Sequence, residues 1–465
     1  MANELDLVIL GSGPGGYVAA IRAAQWGLRT AVVEKEDRLG GTCLNVGCIP
    51  TKALLFNAEV YDAVLRGKEF GIECGEVKLH FEAVQERTAK VIRKHNKGLE
   101  YLFKKHRIEK VRGFGKLQGG GRIQVAGPDG ERELRAKNII LATGSEASML
   151  PGMEADEERV LTNRGILRLR ERPQSLLIIG AGAVGVEFAS IYHRFGSKVT
   201  VVEMLPRILP LADEEISREL EKSLKKQGIQ ILTGARVKSL KKKGKAVEVE
   251  VTQGSATKTL QAQLALVAVG RKPNTAKIGL EKTQVETERG FVKADKFMQT
   301  AEPGIYAIGD IVAGAPQLAH AASMEGIVAV GKICGKQVPP MNHRHVPDCI
   351  YSEPQVAGVG LTEAKAREEG YSVQVGKFPF LANSKASILG SHEGFVKLVC
   401  DEKYGEILGA HMIGPMVTEM IAEVALAMRL EATVEDIMYT VHAHPTLSEA
   451  LMDAANSVHS LTINA

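Results

Sequence analysis

The sequence predicts an α/β protein in which a strand–turn–helix–strand unit occurs twice, followed by an α+β domain that lacks it. Three observations carry this prediction. A Gly-rich turn follows an apolar strand at Gly11–Gly16 and again at Gly180–Gly185. In each copy a second strand ends in a glutamate, Glu34 after Gly11 and Glu203 after Gly180, at the same spacing. The chain has 465 residues, 45% hydrophobic and 25% charged. That is ordinary globular composition, with room for about three domains.

Composition also excludes. Glycine is high at 48, too few for low complexity but enough for several Gly-dependent backbone sites. With 59 basic and 55 acidic residues the net charge is only +4, so neither nucleic acid nor an acidic membrane surface is an expected partner. No apolar run approaches the ~18 residues of a membrane helix. Met1–Asp6 is short and polar and leads directly into Leu7–Leu10, unlike a signal peptide. A cytoplasmic setting is expected, or an organellar matrix if a leader has been removed. Six cysteines are not a disulfide framework. Cys74, Cys334, Cys349 and Cys400 stand alone and are expected to be buried thiols.

The elements follow in order. Leu5–Leu10 is a strand, Gly11-Ser12-Gly13-Pro14-Gly15-Gly16 a turn, Tyr17–Trp26 a helix, and Arg29–Val33 a strand ending at Glu34. Asn138–Leu141 reads as a buried strand closing on Ala142-Thr143-Gly144, and completes a first domain over 1–147. Leu176–Ile179, Gly180–Gly185, a helix to Phe195 and Lys198–Val202 repeat the pattern, and Leu264–Gly270 echoes the closing strand. This second domain spans 148–271. Within it, Lys241–Lys245 and the alternating Val247–Val251 predict a solvated hairpin turn with one exposed strand face. Residues 272–342 form a central segment with a strand ending in Gly309-Asp310, and Pro339-Pro340 marks a linker. In 343–465 a hairpin (Gly394–Val399, Glu406–Met412) precedes a helix over Thr418–Met428.

A G-x-G-x-x-G turn between an apolar strand and a helix, with an acid at ribose distance, predicts a Rossmann-like dinucleotide site. The first glycine makes the tight turn, the second admits a pyrophosphate, and the third lets helix and strand pack. The helix N-terminus offers N–H groups to the phosphates. Glu34 and Glu203 are then placed to accept from ribose hydroxyls. Two such sites in one chain imply electrons passing between two cofactors.

Between the copies lies Gly40-Gly41-Thr42-Cys43-Leu44-Asn45-Val46-Gly47-Cys48-Ile49-Pro50-Thr51-Lys52. On a regular helix Cys43 and Cys48 would have Cα atoms roughly 8–9 Å apart, whereas a disulfide needs about 4.4–6.8 Å. Two readings stand: a pair of reduced core thiols, or a disulfide whose backbone leaves the helix at Gly47. So small a ring restrains little chain entropy, which favours a redox role over a structural one.

This segment, both Gly-rich turns, Ala142-Thr143-Gly144, Ile305-Tyr306-Ala307-Ile308-Gly309-Asp310 and the C-terminal His442-Ala443-His444-Pro445-Thr446-Leu447-Ser448-Glu449 resemble the flavin-dependent pyridine nucleotide–disulfide oxidoreductases from end to end. Within that family the C-terminal string is most similar to the dihydrolipoamide dehydrogenases. The resemblance implies an FAD domain, an NAD domain and a C-terminal dimerisation domain. It implies that Gly11, Gly13, Gly16, Glu34, Lys52, Gly115, Thr143, Gly144, Asp310 and His320 serve the FAD side, with Glu187 similar to the acid that pairs with the lysine. Gly180, Gly182, Gly185, Glu203 and Gly270 would take NAD. Cys43 would exchange with substrate and Cys48 face the flavin. His444 would be the general base and Glu449 its orienting partner.

The implied activity oxidises dihydrolipoamide carried on an acyltransferase subunit or carrier protein of a 2-oxo acid dehydrogenase complex or the glycine cleavage system. The implied assembly is a homodimer with active sites shared between chains. A dithiol attacks a disulfide only as thiolate, and an imidazole with a pKa of about 6.5 suits the proton removal. His442 is left open, beside the base or without a catalytic role, and no metal is expected because no further Cys/His cluster accompanies the two histidines. Glutathione-type reductases would place arginines where Glu203 stands, and mercuric reductases a C-terminal cysteine pair that is absent here. The non-enzymatic alternative is a flavoprotein scaffold.

Overall fold

The computed structural model describes residues 4–464. They cluster into two units: the chain up to Ala53 with Glu82–Ser148 and Arg271–His343, and Leu54–Phe81 with Met149–Gly270 and the chain from Arg344. The first unit is built on β1 (Leu5–Leu10), α1 (Pro14–Gln25), β2 (Thr30–Glu34), α2 (Gly41–Val46), the start of α3 (Cys48–Leu65), α4 (Phe81–Lys105), β3 (Glu109–Arg112), β4 (Phe114–Gly119), β5 (Arg122–Gly127) and β6 (Gly130–Leu141). Its parallel strands run in the order β3-β2-β1-β6, with Ile305–Ala307 beyond β6.

β1 is covered on both faces, which explains its unbroken apolar run. Val8 and Leu10 join Leu117, Ile123 and Leu134 on one side, while Leu7 and Ile9 pack with Ala19, Ala23, Leu99 and Phe103 on the other. α1 begins at Pro14, earlier than the Tyr17 expected, because proline lacks the N–H that a first helical turn would leave unpaired. β6 is longer than the sequence suggested. Its first half pairs antiparallel with β5 and its second half parallel with β1.

Residues 54–81 cluster with the second unit, not with the first domain as the sequence suggested. α3 carries the chain out along an 18-residue helix, roughly 27 Å long. Phe81 then packs edge-on to Phe195 at 5.8 Å.

The second unit repeats the architecture with β7 (Ser175–Ile179), α5 (Ala183–Arg194), β8 (Lys198–Val202), α6 (Glu214–Gln227), β9 (Gln230–Leu232), the meander β10 (Ala235–Lys243), β11 (Ala246–Gln253) and β12 (Ala256–Ala262), and β13 (Leu264–Val267). The order β9-β8-β7-β13 matches that of the first sheet. The Lys241–Lys245 run is the β10–β11 hairpin, and Val247, Val249 and Val251 turn inward while the glutamates between them do not.

The C-terminal region is an antiparallel sheet of β14 (Asp348–Ile350), β15 (Gln355–Gly360), β16 (Val373–Pro379), β17 (Phe395–Asp401) and β18 (Ile407–Gly414), ordered β14-β15-β18-β17-β16. Helices α7 (Val417–Arg429) and α8 (Glu449–Val458) share its core, where Phe378, Leu398 and Met412 meet Ile421, Val424 and Leu451.

Of the isolated cysteines, only Cys400 is buried, and burial pushes its thiol up to about 12. Cys334 and Cys349 are half-buried, and Cys74 is exposed, contrary to expectation. Cys74 lies in irregular chain after a short 3₁₀ turn, with no apolar periodicity to draw it inward. Among the described residues no helix is long and apolar enough to cross a membrane.

Candidate functional site

Both Gly-rich turns sit where strand order reverses, between the first and fourth strands, the place where open α/β sheets bind ligands. Gly11 and Gly180 have φ of +105° and +101°, which only glycine adopts readily. A Cβ on Gly16 or Gly185 would lie 2.0 Å from the carbonyl oxygen of Gly11 or Gly180, so helix and strand close only without one. At Gly13 and Gly182, the helix N-caps, a Cβ would meet nothing within 4 Å. The middle glycine of each copy thus faces open space at a helix N-terminus.

Glu34 and Glu203 are both buried. Glu34 Oε2 accepts from the Ser12 amide (3.0 Å) and hydroxyl (2.6 Å), and Oε1 from the Glu36 amide (2.9 Å). Glu203 Oε2 accepts from Ala181 N (2.7 Å) and Oε1 from Leu205 N (2.8 Å). A carboxylate has about four acceptor sites, so each retains capacity for a ribose hydroxyl. Cradle, helix end and spare acceptor fit one dinucleotide per copy.

Cys43 and Cys48 form a disulfide with Cα atoms 4.6 Å apart. α2 stops at Val46 and α3 begins at Cys48, so the break falls at Gly47. A Cβ there would lie 2.9 Å from the Thr42 oxygen. The start of α2 lies against the first dinucleotide turn. Gly40 N donates to Ser12 O (3.0 Å), and a Cβ on Gly41 would sit 2.7 Å from Gly13 Cα. Lys52, one turn beyond Cys48 on α3, is half-buried.

Thr143 and Gly144 follow β6. The Thr143 hydroxyl donates to Asn274 O (2.8 Å), and Asn274 Nδ2 returns a bond to Thr143 O (3.0 Å). Asp310 lies in a 3₁₀ turn, hydrogen-bonded to Ser145 and 3.8 Å from Arg271 Nε. Arg271 also donates to the Ser145 hydroxyl (2.6 Å) and carbonyl (2.7 Å). Gly309, next to Asp310, donates its N–H to the fully buried Glu325 at 2.5 Å, whose other oxygen meets His343 Nε2 at 2.7 Å. Gly115 lies in β4, where a Cβ would press on Leu10 at 2.8 Å. His320 is exposed at the start of the helix Ala319–Ile333.

In the second unit, Glu187 is buried on α5 and accepts from Tyr351 N at 3.0 Å. Burial, then Cys349 and Glu187, push the Tyr351 hydroxyl up to about 12. Gly270 follows β13 with φ +115°. His444 Nδ1 is 2.9 Å from Glu449 Oε1, and Thr446 N donates to Glu449 Oε2 at 2.8 Å. Partial burial works to raise the Glu449 pKa, but the Thr446 amide and the His444 ring outweigh it and hold it below the usual carboxylate range. With Nδ1–H directed at a carboxylate, Nε2 carries the free lone pair. The His444 side chain is 70% exposed. The His442 ring is only 5% exposed, with Nδ1 on Thr440 O (2.9 Å) and Nε2 on Glu423 (2.8 Å).

Sequence reasoning missed Ser145, Arg271, Glu325 and His343. The available signals were an arginine directly after Gly270 and a lone charged residue, Glu325, within the Ala321–Val330 stretch.

Residues 5–326 match the pyridine nucleotide-disulphide oxidoreductase family, and residues 346–455 match its dimerisation domain. The chain is 49% identical to the dihydrolipoyl dehydrogenase of Bacillus subtilis (strain 168), over 98% of each chain. It is 42% identical to the mitochondrial dihydrolipoyl dehydrogenase of Sus scrofa, over 97% of this chain and 90% of that one. The crystal structure of LpdA from Mycobacterium tuberculosis superposes with a TM-score of 0.91 at 28% identity, covering 97% of this chain and 99% of that one.

Proposed function

The chain belongs to the pyridine nucleotide-disulphide oxidoreductases, within their dihydrolipoyl dehydrogenase branch, and from that membership we propose that it oxidises protein-bound dihydrolipoamide with NAD⁺. The observation that carries the reading is the Cys43–Cys48 disulfide, held at the mouth of the first dinucleotide cradle through Gly40 and Gly41. FAD, when bound there, supplies a two-electron relay between a dithiol and the nicotinamide of NAD⁺. The ring of His444, oriented by Glu449, takes the proton from the attacking thiol at Nε2. The resulting thiolate attacks Cys43, the mixed disulfide is resolved by the second substrate thiol, and Cys43 and Cys48 are left reduced. Gly11, Gly13, Gly16, Glu34, Thr143, Gly144 and Asp310 hold FAD, with Lys52, Gly115 and His320 beside it. Gly180, Gly182, Gly185, Glu203 and Gly270 hold NAD.

The His444–Glu449 pair serves the disulfide of a second copy across a twofold dimer. In support, the region matching the dimerisation domain exposes Leu426, Leu430, Tyr439 and Val441, an apolar set that a self-complementary interface would cover. Four cysteines kept as free thiols fit a reducing cytoplasm.

Anaerobic titration with free dihydrolipoamide tests the function. Flavin absorbance should change stoichiometrically, and NADH should appear on adding NAD⁺. A flavoprotein that dihydrolipoamide leaves oxidised refutes it. Mixing inactive Cys43→Ser and His444→Ala proteins by unfolding and refolding tests the shared site. Random pairing should restore roughly a quarter of the activity, since half the dimers hold one intact site of two. No recovery from proven heterodimers rejects sharing.

A further inference from the structure

We propose that the cationic face of α4, extended by Arg38, docks an acidic face of the lipoyl-bearing carrier protein beside the redox disulfide; this rests on the dihydrolipoamide reading above. Between Glu86 and Glu100, α4 carries Arg87, Lys90, Arg93, Lys94 and Lys97 and no acid. At 100° per residue these five fall within an arc of about 120°. All are exposed, while Thr88, Leu99 and Phe103 bury the opposite side.

Like charges three and four apart destabilise a helix. Elsewhere this protein neutralises such positions: on α6, Glu214 pairs with Arg218 and Glu221 with Lys225. On α4, by contrast, Lys90, Arg93, Lys94 and Lys97 have no ion pair among the described residues, and neither has Arg38. A hollow of about 340 Å³ is lined by Arg38, Arg93, Asn96, Lys97 and Glu100. Its one acid, Glu100, is already paired with Lys110 at 2.6 Å. The whole chain is nearly neutral, so this concentration of positive charge is local.

The face is joined to the redox segment. Asn96 Nδ2 donates to Leu39 O and to Asn45 Oδ1, both at 3.3 Å. Asn45 lies on α2 two residues after Cys43, and its own amide binds Leu39 O (2.9 Å) and Gly41 O (3.0 Å). A partner held on the arginines and lysines is therefore held next to the helix that carries the substrate-exchanging thiol. That adjacency selects an acidic protein bearing the dithiol over a nucleic acid, which would bring no reductant to Cys43. Opposite charge would act mainly on the rate of encounter.

The test uses the intact holoenzyme with Lys90→Gln, Lys94→Gln and Lys97→Gln combined. Glutamine keeps helix propensity and the substituted side chains are exposed, so FAD content should be unchanged. With a lipoylated carrier domain of net negative charge, kcat/KM should fall about tenfold or more at low ionic strength, and its salt dependence should flatten. With free dihydrolipoamide, kcat/KM should not change. Arginine at the same three positions should keep the carrier rate. A carrier rate unaltered in the glutamine variant, or a fall shared equally by free dihydrolipoamide, overturns the docking surface. If the unmodified protein oxidises no free dihydrolipoamide, the functional reading fails separately. The surface is then judged by titrating the carrier domain: salt-sensitive binding lost in the variant supports docking, and equal binding by both proteins overturns it. Duplex DNA bound as tightly as the carrier domain also overturns it.

Discussion

The two Gly-rich units share strand order, turn geometry and a buried glutamate, yet each is fastened to different neighbours. The first is tied to the redox segment: Gly40 bonds to Ser12, and Gly41 lies against Gly13. The second is tied to the C-terminal sheet. Asp213, the N-cap of α6, meets Lys397 of β17 at 3.1 Å, Ser223 and Lys226 each bond Glu393 at 2.6 Å, and Gln227 donates to Glu353 O at 2.8 Å. The motif alone makes a dinucleotide cradle. Its attachments make one copy a relay to a disulfide and bolt the other to the region matching the dimerisation domain.

The strongest way to break this contrast is at the cysteines. Cys43→Ser and Cys48→Ser should each reduce dithiol turnover to assay background while both cradles still bind their nucleotides. Cys43→Ser leaves Cys48 as a thiolate beside the flavin, and a long-wavelength charge-transfer band is expected. Cys48→Ser should lack it. Identical spectra would show the two thiols misassigned.

Next in size is the second copy's own anchor. Lys397 is only 2% exposed and also reaches Glu363 at 2.9 Å and Glu215 at 3.6 Å. Lys397→Met would leave Asp213 buried without its cation, at a cost of about 3–5 kcal/mol. Denaturant unfolding should show this loss, with NADH binding failing before FAD is released. Burial works to raise the Asp213 pKa, but the His411 and Lys397 charges, with hydrogen bonds from Lys397 and the Glu215 amide, hold it below the ordinary carboxylate range. A lowered native pKa means stability that is present above the unfolded value of 3.8 and lost as pH falls through the native one. Without Lys397 the native pKa should rise toward the unfolded one, so the Asp213 share of the acid-linked loss should shrink and stability should fall less steeply with acid. A variant whose stability falls with acid as steeply as that of the unmodified protein would remove Lys397 as the cause.

What was legible in the sequence follows this same division. Spacings within one stretch were readable: both turns with their acids lie within a few dozen residues, where helix and strand geometry fixes neighbours. The Cys43–Cys48 disulfide stayed one of two readings because a regular helix holds those residues apart, and the His444–Glu449 pair came from the family resemblance. The attachments were not readable. Ser145 meets Arg271 and Asp310, and Asp213 meets Lys397, across more than a hundred residues, and periodicity has no reach at that distance. Residues 54–81 joined the second unit for the same reason: Phe81 finds Phe195, a partner no local pattern announces. His442 likewise finds its partner outside its own stretch, in Glu423 on α7.

The glutamates allow a milder comparison. Glu203→Ala should weaken NAD⁺ by about 1–3 kcal/mol and narrow its preference over NADP, with the flavin-to-protein ratio unchanged. Glu34→Ala should do the reverse, lowering flavin retention and sparing NAD⁺ affinity. Calorimetry and absorbance together separate the two. If either substitution affected both nucleotides equally, the copies would not be independent cradles.

The smallest expected effect tests the difference inside the motif that reaches its acid, Ser12 against Ala181. Ser12 is fully buried and its hydroxyl donates to Glu34 Oε2 at 2.6 Å, a bond with no counterpart at Glu203. The hydroxyl also accepts from Gly40 N at 3.2 Å, but that N–H already reaches Ser12 O at 3.0 Å. Ser12→Ala therefore strands no donor: Gly40 keeps the carbonyl, and Glu34 keeps the Ser12 and Glu36 amides at 3.0 and 2.9 Å. It also frees an acceptor site on Glu34, leaving this copy with the same two amide bonds that hold Glu203. A net loss of about 1 kcal/mol is expected, seen as a rise of less than tenfold in the FAD dissociation constant. NAD⁺ affinity and the Cys43–Cys48 reaction should not change. If Ser12→Ala instead released FAD as readily as Glu34→Ala, the hydroxyl would be part of the cradle itself, and the two copies would differ in how they bind as well as in what they are fastened to.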